Sequence, residues 1–321
     1  MSTVAANARS WGMQRIVVSG GSGYIGHALV RHLLARGDRV TVLTRGADAP
    51  ASAEAPARVH WDPYQLGDWA AALDGADAVV NLTGERAVGV RFTEARKRRV
   101  RDSRVVTTRN LVAAIERARS KPRVLVSVSG IGYYGNRAER VDESSGPGSD
   151  FLARLCIEWE AAAEQARALG VRVTTPRMGI VLGPGDGPLA TMALPFKLFV
   201  GGKLGSGHQG FSWIFVDDAV RALTLCIDRE VSGPVNVCSP QPVSNAEISA
   251  ELARALHRPN WLAVPAFGLK LLFGEGAEPI LTGQFAVPKL LEQQGFRFQH
   301  PSLAEALSEA LGKRPDVHAR V

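Results

Sequence analysis

Cysteine is scarce in this chain, long apolar runs are missing, and acidic residues are outnumbered; each shortage excludes something. Cys156, Cys226 and Cys238 are odd in number, scattered and without metal-ligand spacing. They exclude a disulfide framework and read as reduced core thiols of a cytoplasmic protein, with no metal site. No stretch approaches the roughly 20 apolar residues that span a bilayer. Residues 1–14 lack the apolar core of a secretory signal and read as a disordered leader, with Met13 as a nearer natural start. Lysine and arginine total 38 against 31 acids, a net charge of +7. Much of the excess is local, in Arg91, Arg96, Lys97, Arg98, Arg99, Arg101, Arg104 and Arg109. No aromatic interleaves the basic residues from Arg96 to Arg109, as base stacking would require, so the run reads as a solvated helix face. Neither nucleic acid nor a membrane is expected as a partner.

Glycine is abundant, and its placement is informative. Arg15-Ile-Val-Val-Ser-Gly-Gly-Ser-Gly-Tyr-Ile-Gly26 joins a short apolar strand to a glycine turn. Apolar residues then repeat at helical spacing from Tyr24 to Leu34. Strand, glycine turn and helix form the context of a dinucleotide site, with Gly21, Gly23 and Gly26 in G-x-G-x-x-G register. A Cβ there would keep a pyrophosphate from the backbone, and the helix N-terminus offers free N–H groups. Gly20, Gly21, Ser22, Gly23, Tyr24, Ile25 and Gly26 are the expected contacts.

Strand and helix patterns alternate onward. Strands are expected at Arg39–Thr44, Val59–Trp61, Ala78–Thr83, Arg123–Ser129 and Val171–Met178, with helices over Phe92–Arg117 and Asp150–Ala168. Such alternation predicts an α/β fold with a doubly wound parallel sheet, whose ligands sit at the carboxyl ends of the strands. A nucleotide-binding domain is expected over 15–181, with 211–238 returning to it. Segments 182–210 and 239–321 then form a smaller substrate-side lobe.

The second strand ends Leu43-Thr44-Arg45-Gly46, without the carboxylate that holds an NAD ribose. Asp38 precedes the strand, at the wrong end. An arginine there can grip a 2′-phosphate and stack on adenine, so NADP(H) is preferred over NAD(H) through Thr44 and Arg45. The alternative is a solvated loop arginine. Asn81, Leu82, Thr83 and Gly84 close the fourth strand and can line the adenosine and ribose. Arg104 shares a helix face with Val100, Thr107 and Leu111, where a charge needs a partner. A cofactor oxygen and a structural ion pair are both open.

These residues resemble the extended short-chain dehydrogenases/reductases, the NAD-dependent epimerase/dehydratase family, and within it an atypical branch with its own C-terminal domain. The matching stretches are Ser19–Gly26, Asn81–Glu85, Tyr133–Gly135, Leu182–Gly185, Trp213–Asp218, Leu281–Leu290 and Gln294–Phe298. The resemblance covers about Arg15 to Leu311. It implies a Rossmann domain, bound NADP(H), a small-molecule substrate in a cleft against the C-terminal lobe, and a homodimer through the long flanking helices. It also implies nicotinamide contacts near Ile180 and Val181.

One element of the family is missing. The wider family uses Tyr-x-x-x-Lys for proton exchange, and no such pair occurs here. Aligned through Glu160, the Tyr position is Leu152 and the Lys position Cys156. Ser129 and Tyr134 are the substitute catalytic candidates; Tyr134 also reads as a structural loop aromatic. Phe215 stands where the branch usually carries histidine. Two functions follow: an NADP(H)-dependent oxidoreductase or epimerase of unknown substrate, or a non-catalytic NADP(H)-binding regulatory or assembly protein.

Overall fold

Alternate residues of each strand face opposite layers, and here both faces are apolar. Ile16 and Val18 point into one core with Val40, Val42, Val80 and Val126, while Val17 points into the other with Leu43, Val79 and Leu125. Strands buried on both faces belong inside a parallel sheet covered by helices. The computed structural model, which describes residues 12–52 and 55–312, has that architecture.

The strands are β1 (Arg15–Ser19), β2 (Arg39–Thr44), β3 (Ala57–His60), β4 (Ala78–Asn81), β5 (Val124–Ser127) and β6 (Arg172–Met178). A further pair, β7 (Ile180–Leu182) and β8 (Trp213–Phe215), lies beside them, β9 (Gly233–Val237) joins the main sheet, and several two-residue strands complete the pairing. The main sheet runs β9-β6-β5-β4-β1-β2-β3 with every pairing parallel, a Rossmann order. On one face, α1 (Tyr24–Ala35) contributes Leu29 and Leu33, and α5 (Val216–Asp228) contributes Leu223. On the other, α2 (Glu94–Arg117) contributes Leu111 and Ile115. Beside α2 packs α3 (Phe151–Glu164). Strand order reverses at β1, between β2 and β4, and this places the crevice above the glycine turn.

The C-terminal half adds α4 (Pro188–Lys197), α6 (Asn245–Leu256), α7 (Ala266–Phe273) and α8 (Leu303–Gly312). Leu303 and Leu307 of α8 join the same apolar cluster as Ile248 and Leu252 of α6. The capping box of α6 is complete, with Ser244 Oγ accepting from Glu247 N–H and the Glu247 carboxylate accepting from Ser244 N–H. No helix among the described residues is long and apolar enough to cross a membrane.

Several expected boundaries move for local reasons. Thr93, inside the expected helix, is the N-cap of α2 and accepts from the Arg96 N–H. β8 ends at Phe215 because Val216 opens α5, and it pairs with β7 outside the main sheet. The leader reading also needs correction. Residues 1–11 lie outside the described residues, but Gln14 is 4% exposed and built into the fold. Its N–H donates to Asp38 Oδ1 at 3.1 Å and its side-chain amide to Asp228 Oδ1 at 2.8 Å. Asp38, absent from the nucleotide end of β2, thus anchors the opposite end of the sheet.

Candidate functional site

The glycine turn is shaped by contacts that leave no room for side chains. Gly20 has φ +75°, and a Cβ on it would lie 2.8 Å from the Leu82 carbonyl carbon. A Cβ on Gly26 would lie 2.1 Å from the Gly20 oxygen, so the helix can sit on the turn only as glycine. Gly23 differs. A Cβ there meets nothing nearer than the Gly20 oxygen at 3.4 Å, and Gly23 is exposed together with Ser22. Gly23 is the N-cap of α1, with no side-chain cap and no acid in the first turn. The first N–H groups of α1 therefore point outward without a side-chain acceptor, suited to an anion. The Tyr24 side chain packs elsewhere, against Gly183 and Gly187 of the loop before α4. Burial pushes its phenol up to about 12.

At the end of β2, Thr44 Oγ1 accepts from the Gly46 N–H at 3.1 Å and fixes the bend. Arg45 projects from that bend, exposed, and no carboxylate lies within ion-pair distance of it among the described residues. At the end of β4, where backbone and hydroxyl groups are expected to line the nucleotide, the Asn81 side chain turns inward. It is fully buried; its Oδ1 accepts from Ser19 Oγ and the Thr83 N–H, and its Nδ2 donates to Thr108 and Ser127. All its capacity goes to stapling β1, β4, β5 and α2, so its side chain cannot line the adenosine. Leu82 and Thr83 remain partly exposed and Gly84 exposed at that strand end.

Arg104 packs on Gly84, where an added Cβ would lie 3.0 Å from its Cζ, and it stacks 5.2 Å from the Trp159 ring centroid. Its Nη1 donates to the Val100 carbonyl at 3.1 Å. The ion-pair alternative finds no carboxylate within 4.0 Å among the described residues. Desolvation lowers its pKa, outweighing the nearby Glu85 carboxylate, which works to raise it. Other members of the basic run are engaged: Arg96 with Glu85, Lys97 with Glu94 and Glu275, and Arg101 with Asp102 and Glu158. Val181 is also corrected. It is buried in the core, and Ile180 beside it is the partly exposed residue.

The catalytic candidates lie in a buried polar network that the sequence reading did not foresee. Ser129 Oγ donates to Glu160 Oε1 at 2.7 Å. Glu160 receives Arg177 in fork geometry, Nε at 2.9 Å and Nη2 at 2.8 Å. Arg177 Nη1 donates to the Tyr134 hydroxyl at 3.0 Å, which donates to Asn236 Oδ1 at 2.7 Å. The Tyr133 ring lies 3.4 Å under the guanidinium. Burial works to lower Arg177, but the Glu160 hydrogen bonds override it and hold the charge firmly on. Burial pushes Tyr134 up to about 12. Tyr134 is fully buried with its proton committed to Asn236, so the reading of it as a surrogate acid gives way to the structural one. The signal available in the sequence was Arg177 itself, a charge inside an otherwise buried strand, which demands a partner.

Leu152 fills the tyrosine position, 3.3 Å from where a Gly132 Cβ would stand. Cys156 at the lysine position is buried, and burial pushes its thiol up to about 11. Removing the Tyr134 hydroxyl tests its assignment. Tyr134→Phe should cost about 1–3 kcal/mol, the penalty for leaving Asn236 and Arg177 short of a partner. Cofactor affinity should be unchanged; a loss of affinity with no loss of stability in urea titration would reverse the assignment.

The family model for NAD dependent epimerase/dehydratases matches residues 16–238, the whole run from β1 to the end of β9. The chain belongs to that family. A second family model, Domain of unknown function (DUF1731), matches residues 264–310. Among epimerase-family relatives, the Mycobacterium tuberculosis Epimerase family protein MT2273 is 42% identical over 298 residues, covering 92% of this chain and 97% of that protein. The crystal structure of human epimerase family protein SDR39U1 (isoform2) with NADPH superimposes with TM-score 0.83 at 35% identity, covering 94% of this chain and 100% of that one. A Corynebacterium glutamicum nucleoside-diphosphate sugar epimerase gives TM-score 0.76 at 32% identity, covering 94% of this chain and 59% of that one.

Proposed function

We propose that this chain binds NADP(H) at the carboxyl ends of β1, β2 and β4 and serves a reductase or epimerase reaction on a small carbonyl or sugar-like substrate. The observation that carries the cofactor assignment is Arg45, exposed and without a carboxylate partner among the described residues, at the end of a β2 that has no ribose-binding carboxylate. NADPH in the human relative's crystal supports it. The residues fit the cofactor chemically. The open N–H groups of α1 receive the pyrophosphate, Gly23 leaves space for its approach, and Arg45 offers a fork to the 2′-phosphate. Arg104, a desolvated cation with no carboxylate within 4.0 Å among the described residues, supplies charge for an oxygen of the cofactor or substrate. The nicotinamide, when bound, supplies or accepts the hydride.

A non-catalytic, NADP(H)-binding regulatory or assembly role is the second reading, favoured by one observation. Leu152 and Cys156 replace the proton-exchanging pair, and Ser129 is committed as a donor to Glu160. A panel of carbonyl substrates with NADPH separates the readings: turnover lost in Ser129→Ala supports the enzyme, and no turnover on any member supports the binding protein.

The cofactor assignment has its own test. In fluorescence titrations Arg45→Ala should weaken NADPH binding by about tenfold or more, the loss of roughly 1.5–3 kcal/mol of charge-assisted hydrogen bonding. NADH binding should change little. Equal affinity for the two cofactors, unaltered by the substitution, would remove the preference.

A further inference from the structure

Nine of the thirteen large apolar side chains exposed among the described residues fall within residues 194–200 and 261–272. The most prominent are Leu198, Phe199, Trp261, Phe267, Leu271 and Leu272, with Trp261 at 68%, Phe267 at 75% and Leu271 at 81% exposure. The two segments are pinned together as one surface. The Trp261 indole N–H donates to the Phe199 carbonyl at 3.0 Å, and the Val264 N–H to the Lys203 carbonyl at 2.9 Å. A Cβ on Gly202 would collide with the Leu262 carbonyl oxygen at 1.6 Å, so the segments meet backbone to backbone. Phe199 holds φ +62°, a left-handed conformation that a bulky residue adopts only when its surroundings enforce it. Arg258 covers its ring at 4.6 Å. Helix α7, apolar nearly all round, buries only Leu269. So many large apolar side chains exposed on two tied segments mark an interaction surface.

Charge selects the occupant. Residues 194–203 and 254–272 carry Lys197, Lys203, Arg254, Arg258 and Lys270 and no acid at all. Glu251 and Glu275, which flank these segments in sequence, are paired with Arg254 and Lys97. A two-fold contact between copies of this chain would set Lys197, Lys203, Arg258 and Lys270 against themselves. Aromatic and leucine side chains projecting among lysines and arginines suit the interfacial zone of an anionic bilayer, where rings reach the headgroup level and cations meet lipid phosphates.

We infer that the α4–α7 face docks the protein on anionic membrane surfaces. This departs from the expectation of no membrane partner, which rested on the lack of a spanning run and could not see a surface assembled from two separate segments. The proposal is independent of the cofactor assignment.

Sedimentation of the full chain with lipid vesicles tests it. The protein should pellet with phosphatidylcholine vesicles containing phosphatidylglycerol, far less with phosphatidylcholine alone, and less again as salt rises from about 0.05 M to about 0.5 M. The double variant Phe267→Ser/Leu271→Ser alters only exposed positions, so NADPH affinity and circular dichroism should stay unchanged while vesicle binding falls by about tenfold or more. Binding to anionic vesicles that survives in the double variant overturns the proposal, as does failure of the full chain to bind them. If the chain ignores vesicles but forms a dimer that the double variant dissolves, the occupant is a second copy. If it ignores vesicles and stays monomeric, the patch serves a protein partner or none, and the membrane assignment fails.

Discussion

An Arg177→Met variant should lose about 3–5 kcal/mol of stability, read as a lower urea midpoint with the slope unchanged. The Arg177 side chain is 4% exposed and Glu160 only 13%, so solvent cannot take over when the guanidinium is removed. The substitution leaves the Glu160 carboxylate with Ser129 as its remaining donor and strips Tyr134 of the Nη1 hydrogen bond. Methionine fills most of the space over Tyr133, so the loss is electrostatic rather than a cavity. The coupling has a sharper signature. A Glu160→Leu/Arg177→Met double variant should be more stable than Arg177→Met alone, because a buried pair deleted together leaves no orphan charge. If the double variant loses the sum of the two single effects, the pair is not the coupled unit described here.

This network also explains how much of the site was legible beforehand. The sheet could be read because its apolar runs and turns are local: Ile16–Val18 followed within five residues by Gly20, Gly21 and Gly23 admits few alternatives. The glycine turn was legible for the same reason. What failed was assignment of polar residues whose partners are distant in sequence. Asn81 stands at the right strand end for a ligand, yet its amide closes hydrogen bonds to Ser19, Thr108 and Ser127, up to 62 positions away. Tyr134 meets Asn236 across 102 positions. Strand-end position says where a side chain starts, and only the packed neighbours decide whether it faces the crevice or the core. Arg104 is the converse case: helical phase marked it as a charge on a packed face, and the structure leaves that charge without a carboxylate. The apolar surface on α4 and α7 was illegible because its two halves are separated by most of the C-terminal lobe. Each half alone reads as ordinary core material.

The largest effect on cofactor binding is expected from the mildest change to the turn. Gly23→Ala should fold normally and lose NADP(H) affinity by at least about a hundredfold, a penalty near 3 kcal/mol on binding alone. Gly23 has φ −75° and ψ 169°, an extended conformation that alanine adopts freely, and its Cβ would meet only the Gly20 oxygen at 3.4 Å. The native fold therefore has room for the methyl group. The ligand does not, because the new Cβ occupies the approach of the pyrophosphate to the first N–H groups of α1. Gly26→Ala is the contrasting control. Its Cβ would stand 2.1 Å from the Gly20 oxygen and 2.7 Å from the Gly21 Cα, so α1 must lift off the turn. Stability and binding should fall together, by about 1–3 kcal/mol or more in the former. Thermal melts alongside NADPH titrations distinguish the two positions: a Gly23→Ala protein that melts like the parent yet no longer binds locates the pyrophosphate at this turn, and one that binds as tightly as the parent moves the cofactor elsewhere.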